Sequence, residues 1–197
     1  MLSFDPNQQT ERENYKLLVG SVIPRPIAFV TSMSADGIVN AAPFSYFNIV
    51  SSDPPLLSVS VQSRAGTPKD TARNAMATKE FVIHVVDETN VGEVNKTAAS
   101  LPPEQSEIDL TELTLIDSEI VKVPSVEQTK VRFECRLEQA VELGGTRLLI
   151  GRVVRFHIDE SIYDNGRINP EILQPVSRLA GTNYAKLGEI FSMKRPD

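Results

Sequence analysis

Short apolar runs broken by turn signals dominate the pattern along this chain. A polar lead-in over residues 1–18 ends in a short helix or turn. Ile27, Ala28, Phe29, Val30, Thr31 and Ser32 then form a β-rich run behind Pro24, Arg25 and Pro26. The prolines set where that strand begins, because proline gives no N–H to a central ladder. Ala35-Asp36-Gly37 reads as a hairpin turn, since Asp-Gly is the strongest short-range hairpin signal. Residues 38–41 return from it. Residues 44–50 and 56–61 read as two further strands. Ser51, Ser52, Asp53, Pro54 and Pro55 divide them, and the prolines predict a turn outside any ladder.

A helix is expected next, with Thr67 as N-cap, Pro68 in the first helical position and Asp70 three after the cap, running to about residue 76. Residues 81–86 are almost continuously apolar, which predicts a strand covered on both faces. Residues 90–99 read as a helix. Residues 101–126 are acidic, hold three prolines and lack periodicity, so they read as a long excursion with short pieces of structure. In residues 130–143, Val131, Phe133, Cys135 and Leu137 alternate with Arg132, Glu134, Arg136 and Glu138. That strict period of two predicts a half-exposed antiparallel strand. Gly144-Gly145 makes the turn, and residues 148–158 return. Residues 161–171 hold an Asp-Asn-Gly turn, and the remaining C-terminal segment is irregular. Seven or so short strands, mostly antiparallel, with two or three helices favour a closed or partly closed barrel over a βαβ sheet. With no internal repeat and no linker, residues 1–197 read as one domain.

Composition narrows the function classes. The chain has 197 residues, 41% of them hydrophobic, and a formal net charge of −6. An acidic chain lacks the basic stripe that nucleic acid or an anionic membrane selects. Neither a signal peptide nor an apolar run of membrane-spanning length is visible, which predicts a cytoplasmic protein. The single cysteine, Cys135, leaves no intrachain disulfide and takes the apolar phase of its strand. His84 lies in the apolar strand, where a satisfied core histidine is expected; His157, between Phe156 and Ile158, fits either a core or a functional role. The two histidines lie far apart without paired cysteines, so no zinc site is expected.

Three segments could carry chemistry. Small and hydroxylic residues cluster from Asn40 through Ala41, Ala42, Pro43, Phe44 and Ser45 to Ser51 and Ser52. Such a surface lets a flat ligand reach main-chain N–H and C=O groups, although turns and strand ends share this composition. Gly66-Thr67-Pro68-Lys69-Asp70-Thr71 could hold a phosphate at a helix N-terminus, although a plain cap explains the same residues. Arg178-Leu179-Ala180-Gly181-Thr182-Asn183-Tyr184 places an Arg and a Tyr around a glycine turn, suited to covering a ring or an anion or to an ordinary surface. Dinucleotide, P-loop and nucleophile-elbow motifs are absent.

Taken in order, these runs resemble the flavin reductase-like, FMN-binding split-barrel family. The resemblance is carried by Pro24-Arg25-Pro26-Ile27-Ala28-Phe29-Val30-Thr31, Asp36-Gly37, Asn40-Ala41-Ala42-Pro43-Phe44-Ser45-Tyr46-Phe47 and Val50-Ser51-Ser52-Asp53-Pro54-Pro55. Lys69-Asp70-Thr71 with Asn74, the strand from Phe81 to His84, Gly151-Arg152-Val153-Val154 and the segment from Arg178 to Tyr184 extend it over roughly residues 17–190. It implies a Greek-key split β-barrel of six strands with added helices, a homodimer and one non-covalent FMN per subunit. It places Thr31, Ser32 and Met33 on the isoalloxazine side, with Asn40, Ala41, Ala42 and Ser45 adding contacts. It assigns Ser51, Ser52, Lys69 and Thr71 to the phosphate and ribityl chain, and Arg178 and Tyr184 to a cover over the cofactor. No catalytic side chain is implied, because the flavin carries the redox chemistry. Where family members carry a histidine just before the Gly-x-Val strand, this chain has Thr146 and Arg147, a departure at the nicotinamide contact.

The activity implied is an NAD(P)H-dependent flavin reductase that serves a partner oxygenase or another acceptor. The alternatives are a flavoredoxin-type FMN electron carrier without NAD(P)H turnover and a cofactor-free interaction barrel. The departure at Thr146 leans toward the carrier.

Overall fold

A computed structural model describes residues 1–63 and 66–196. Helix α1 (Glu11–Ser21) starts at a capping box: the Thr10 hydroxyl accepts the Glu13 N–H, and the Glu13 carboxylate accepts the Thr10 N–H. The expected short helix therefore extends past the lead-in. Strands β1 (Arg25–Pro26), β2 (Ala28–Met33), β3 (Val39–Phe44), β4 (Phe47–Ser52) and β5 (Pro55–Gln62) follow. Next come α2 (Asp70–Thr78), β6 (Glu80–Val85), α3 (Val91–Lys96), β7 (Leu115–Ile116) and β8 (Ser125–Val126). The long hairpin is β9 (Val131–Leu143) and β10 (Thr146–Ile158). The chain ends with β11 (Tyr163–Asp164), β12 (Arg167–Ile168), α4 (Pro170–Leu173), β13 (Ser177–Arg178) and β14 (Tyr184–Ala185).

The principal sheet has seven antiparallel strands in the order β3-β2-β6-β9-β10-β5-β4, where the family resemblance implies six. Its two edges, β3 and β4, are consecutive in the chain and joined by Ser45 and Tyr46 alone. The Ser60 N–H donates to the Tyr46 carbonyl at 2.9 Å and pins that junction to β5. The sheet curls until its edges meet there without a shared ladder, which makes this a mainly β split barrel. Pro43 is tolerated inside β3 because β3 is an edge.

The interior is filled by inward residues of β2, β5, β6 and β10 (Val30, Val59, Phe81, Ile83, Leu149), closed at one end by Ala72 and Ala75 of α2. Gly151 sits at a register shift between β9 and β10. A Cβ there would lie 2.4 Å from Cζ of Phe81, so only glycine lets that ring occupy the barrel. Cys135 is a buried free thiol whose pKa burial pushes up, a core residue as expected.

Several sequence expectations change. Ser51 and Ser52 belong to β4, and Ser52 pairs with Pro55 of β5, so only Asp53 and Pro54 stay outside that ladder. The C-terminal segment, expected to be irregular, supplies β13 and β14, which form a three-stranded sheet with β1. Helix α2 begins at Asp70, with Lys69 as its extended N-cap and no side chain capping it. The Thr71 hydroxyl donates instead to Oδ1 of Asn40 at 2.7 Å, a tertiary bond that the Thr67 cap pattern does not anticipate. Strand β9 is not simply half-exposed, because Glu134, on its polar phase, is fully buried. The 101–126 excursion folds over this face, and Glu134 accepts the N–H groups of Glu119, Ile120 and Val121 at 2.7 to 2.9 Å. His157 Nε2 lies 2.6 Å from the same carboxylate. Burial raises the pKa of Glu134, but the bonds from His157 and these amides outweigh it and hold it below the usual range.

His84 pins the same excursion. It is fully buried, with Nδ1 2.9 Å from the Phe29 carbonyl and Nε2 3.0 Å from the Val126 N–H. A carbonyl only accepts and an amide only donates, so the ring is neutral with its proton on Nδ1. The excursion also packs by apolar contacts: Ile108, Leu113 and Val126 cover Phe29 and Ala41, while Val121 and Val123 cover Val82.

Candidate functional site

Two clefts meet at the split. The first, about 380 Å³, opens between α1, the β3–β4 junction, the end of α3 and the C-terminal turn. The second, about 320 Å³, lies between β3, the start of α2 and residues 97–107. Pro43 and Lys69 line both, so the clefts adjoin.

Hydrogen bonds tie the walls of the first cleft together. Arg25 is only 7% exposed. Its guanidinium donates to the carbonyls of Val19 (2.7 Å), Val22 (2.6 Å) and Leu179 (2.9 Å). Two of these are C-terminal carbonyls of α1, which the helix itself leaves without partners. The third belongs to the C-terminal turn, so one side chain joins the first helix to the last loop. Nε of Arg25 is buried and finds no partner among the described residues. Arg178 stacks on Tyr184 with its guanidinium carbon 4.6 Å from the ring centroid, and the Tyr184 hydroxyl donates to Oδ1 of Asn95 at 3.0 Å.

The first cleft is cationic in an acidic protein. Arg25, Lys69 and Arg178 line it, together with Tyr15, Tyr46 and Tyr184, and no carboxylate does so among the described residues. Lys69 makes no ion pair among the described residues, and its ammonium lies 5.8 Å from the centroid of Phe44. In the second cleft Asp70 is paired with Arg73, while Glu107 is buried against β3 and its pKa is raised mainly by that burial. Cations without a lining carboxylate among the described residues, beside aromatic rings and reachable backbone, suit an anionic ligand that carries a flat ring.

Residues 19–171 match the family described as flavin reductase like domain. The chain belongs to this family. Among solved structures, nitrilotriacetate monooxygenase component B from Bacillus cereus is 58% identical, with a TM-score of 0.97 and 98% of each chain covered. The 2-nitrobenzoate 2-nitroreductase NbaA of Pseudomonas fluorescens is 29% identical, with a TM-score of 0.90 over 99% of this chain and 96% of that one. Flavoredoxin of Desulfovibrio vulgaris, at 21% identity and a TM-score of 0.77 over 87% and 91% of the two chains, shares the fold.

Within this flavin reductase-like barrel the sequence-derived residues separate by depth. Ser45, Lys69, Arg178 and Tyr184 line the first cleft, and Asn40, Ala42, Lys69 and Thr71 the second. Thr31, Ser32 and Ala41 are buried behind them, with the Thr31 hydroxyl donating to the Pro124 carbonyl at 2.7 Å. Met33 packs under the excursion beside Val82. Ser51 and Ser52 stand at the far end of β4 and line neither cleft; the Ser51 hydroxyl bonds to the backbone of Asp53. Thr146 pairs with Gln62, which lines the first cleft, and Arg147 reaches Glu142 at 2.7 Å. Sequence reasoning missed Arg25, Tyr46, Asn95 and Glu107 as site residues. An Arg between two prolines was a signal for the first; Glu107, one acid in an acidic segment, offered none.

Proposed function

We propose that this protein binds FMN across the adjoining clefts and acts as a flavin reductase. It would draw electrons from NAD(P)H and pass them to a partner oxygenase or another acceptor. The single observation that carries the reading is the first cleft: three cations, three tyrosines and, among the described residues, no lining carboxylate, in a chain of net charge −6. The family membership and the likeness to a monooxygenase component B support both the flavin and the oxygenase partner. The same reading places the protein in the cytoplasm as a homodimer, supported by exposed apolar side chains at Leu18, Val22 and Ile49. None of its described helices is long and apolar enough to cross a membrane.

When bound, FMN supplies hydride acceptance and electron release. The chain binds and orients it. Lys69 offers a mobile point charge to the phosphate from the junction of the clefts. The backbone of Ala42 and Ser45 would offer it directional hydrogen bonds. Arg178, stacked on Tyr184, would cover it and limit water, and the cleft's cations would favour the negative charge it gains on reduction. The buried Arg25 keeps the cleft positive and its walls in register. No side chain need move a proton, so none is named as catalytic.

A flavoredoxin-type carrier is the second reading, favoured by Thr146 and Arg147 in place of a histidine and by the engagement of Arg147 with Glu142. One experiment separates them. Absorbance of the purified protein with FMN is recorded anaerobically before and after NADPH, then NADH. Prompt bleaching of the flavin bands is the expected result and identifies the donor. Bands that persist until dithionite is added overturn the reductase and leave the carrier. A protein that takes up no FMN overturns both.

A further inference from the structure

The acidic excursion does more than cover the barrel, because one of its carboxylates reaches the floor of the second cleft. Glu107 is 5% exposed. Its two oxygens accept from Nδ2 of Asn40 at 3.0 and 2.9 Å, and one also accepts the Ala41 N–H at 3.1 Å. Beyond Asn40 the network continues. Its Oδ1 accepts from the Thr71 hydroxyl at 2.7 Å and the Ser32 hydroxyl at 3.3 Å, and Nδ2 of Asn74 reaches Ser32 at 3.4 Å. This network joins the excursion, β3, β2 and the first turn of α2.

An ionised carboxylate can only accept. Glu107 therefore forces the Asn40 amide to turn its NH2 toward the excursion and its oxygen toward α2. With that oxygen as acceptor, the Thr71 hydroxyl spends its proton inward. Thr71 therefore has no proton to give a phosphate, and its contribution is to hold the start of α2, and so Lys69, against β3.

We propose that Glu107 is a positioning residue for the flavin site, fixing the donor and acceptor polarity of the seam between β3 and α2 and thereby the placement of Lys69. This rests on the FMN reading above. A neutral glutamine of the same shape tests it, because its NH2 would face the NH2 of Asn40. That donor–donor clash drives the Asn40 amide to flip and breaks its acceptance from Thr71. Adding Asn40→Asp repairs the chain: the aspartate accepts from the glutamine, Thr71 and Ser32 together, and one buried charge is retained.

FMN dissociation constants are measured by flavin fluorescence for the wild type, Glu107→Gln and Glu107→Gln with Asn40→Asp. Thermal midpoints of the same three flavin-free proteins are measured alongside. The single variant is expected to bind FMN about tenfold more weakly, with the double variant restored to within about threefold of wild type, an interaction that independent sites would not show. An unchanged single variant, or a double variant no better than the single, overturns the proposal. A wild type that binds no FMN overturns the flavin reading instead. In that event the midpoints decide the network: recovery in the double variant supports the polarity, and additive loss removes it.

Discussion

His84 gives the fold a stability that acid should withdraw. The ring is fully buried and doubly bonded, and burial pushes its pKa down from 6.5 to about 3. In the unfolded chain it protonates near 6.5, so between about 3 and 6.5 the unfolded state holds a proton that the native state lacks. Stability from this group is complete above pH 6.5 and is lost as pH falls through that window, by about 1.4 kcal/mol per unit. From pH 7.5 to pH 5.0 the loss is about 2 kcal/mol. For an unfolding slope of about 2 kcal/mol per molar urea, the midpoint drops by roughly 1 M. Two buried carboxylates bear on the same measurement. Glu134, held low, contributes stability that is lost only as pH falls below the unfolded carboxylate range. Glu107, raised by burial, works oppositely and offsets part of the loss near the acid end. Urea unfolding at the two pH values is therefore measured for wild type and His84→Gln. The variant should be weaker at pH 7.5 and should lose most of the drop. A wild-type midpoint that stays put, or a variant that keeps the full drop, refutes the assignment. The consequence reaches the site, since the Val126 N–H bonded to His84 anchors the excursion that carries Glu107.

Lys69→Ala should weaken FMN binding about ten- to a hundredfold, the worth of a charge-assisted contact, and an unchanged affinity in a fluorescence titration removes Lys69 from the phosphate site. Arg178→Ala should expose the bound ring: faster quenching of flavin fluorescence by iodide is expected, and identical quenching makes the C-terminal turn purely structural. Gly151→Ala should cost about 1–3 kcal/mol by forcing Phe81 out of place; the pair Gly151→Ala with Phe81→Leu should recover part of it in the same unfolding assay.

The barrel strands, their antiparallel pairing and the barrel class were legible in the sequence, because alternation and turn residues act locally; β13 and β14, two residues each, are too short to show a period and were not. Asp36-Gly37 and Gly144-Gly145 mark their hairpins wherever they occur, and Gly37 and Gly144 do adopt positive φ. The three chemical segments were legible as well, since small residues, hydroxyls and cations stand out from apolar runs. Which of them meet was decided only in three dimensions. A period of two separates two faces of a strand but not which face is later covered, so Glu134 read as solvent-facing until the excursion closed over it. Helix α2 starts at Asp70 without a side-chain cap, and the Thr71 hydroxyl in its first turn is bonded to Asn40, 31 residues away, a tertiary partner that no local pattern specifies. Arg25, His84 and Glu107 take their roles from groups brought near by the closing of the sheet. A buried charge or ring nitrogen is defined by what surrounds it, and for these three the surroundings come from distant parts of the chain.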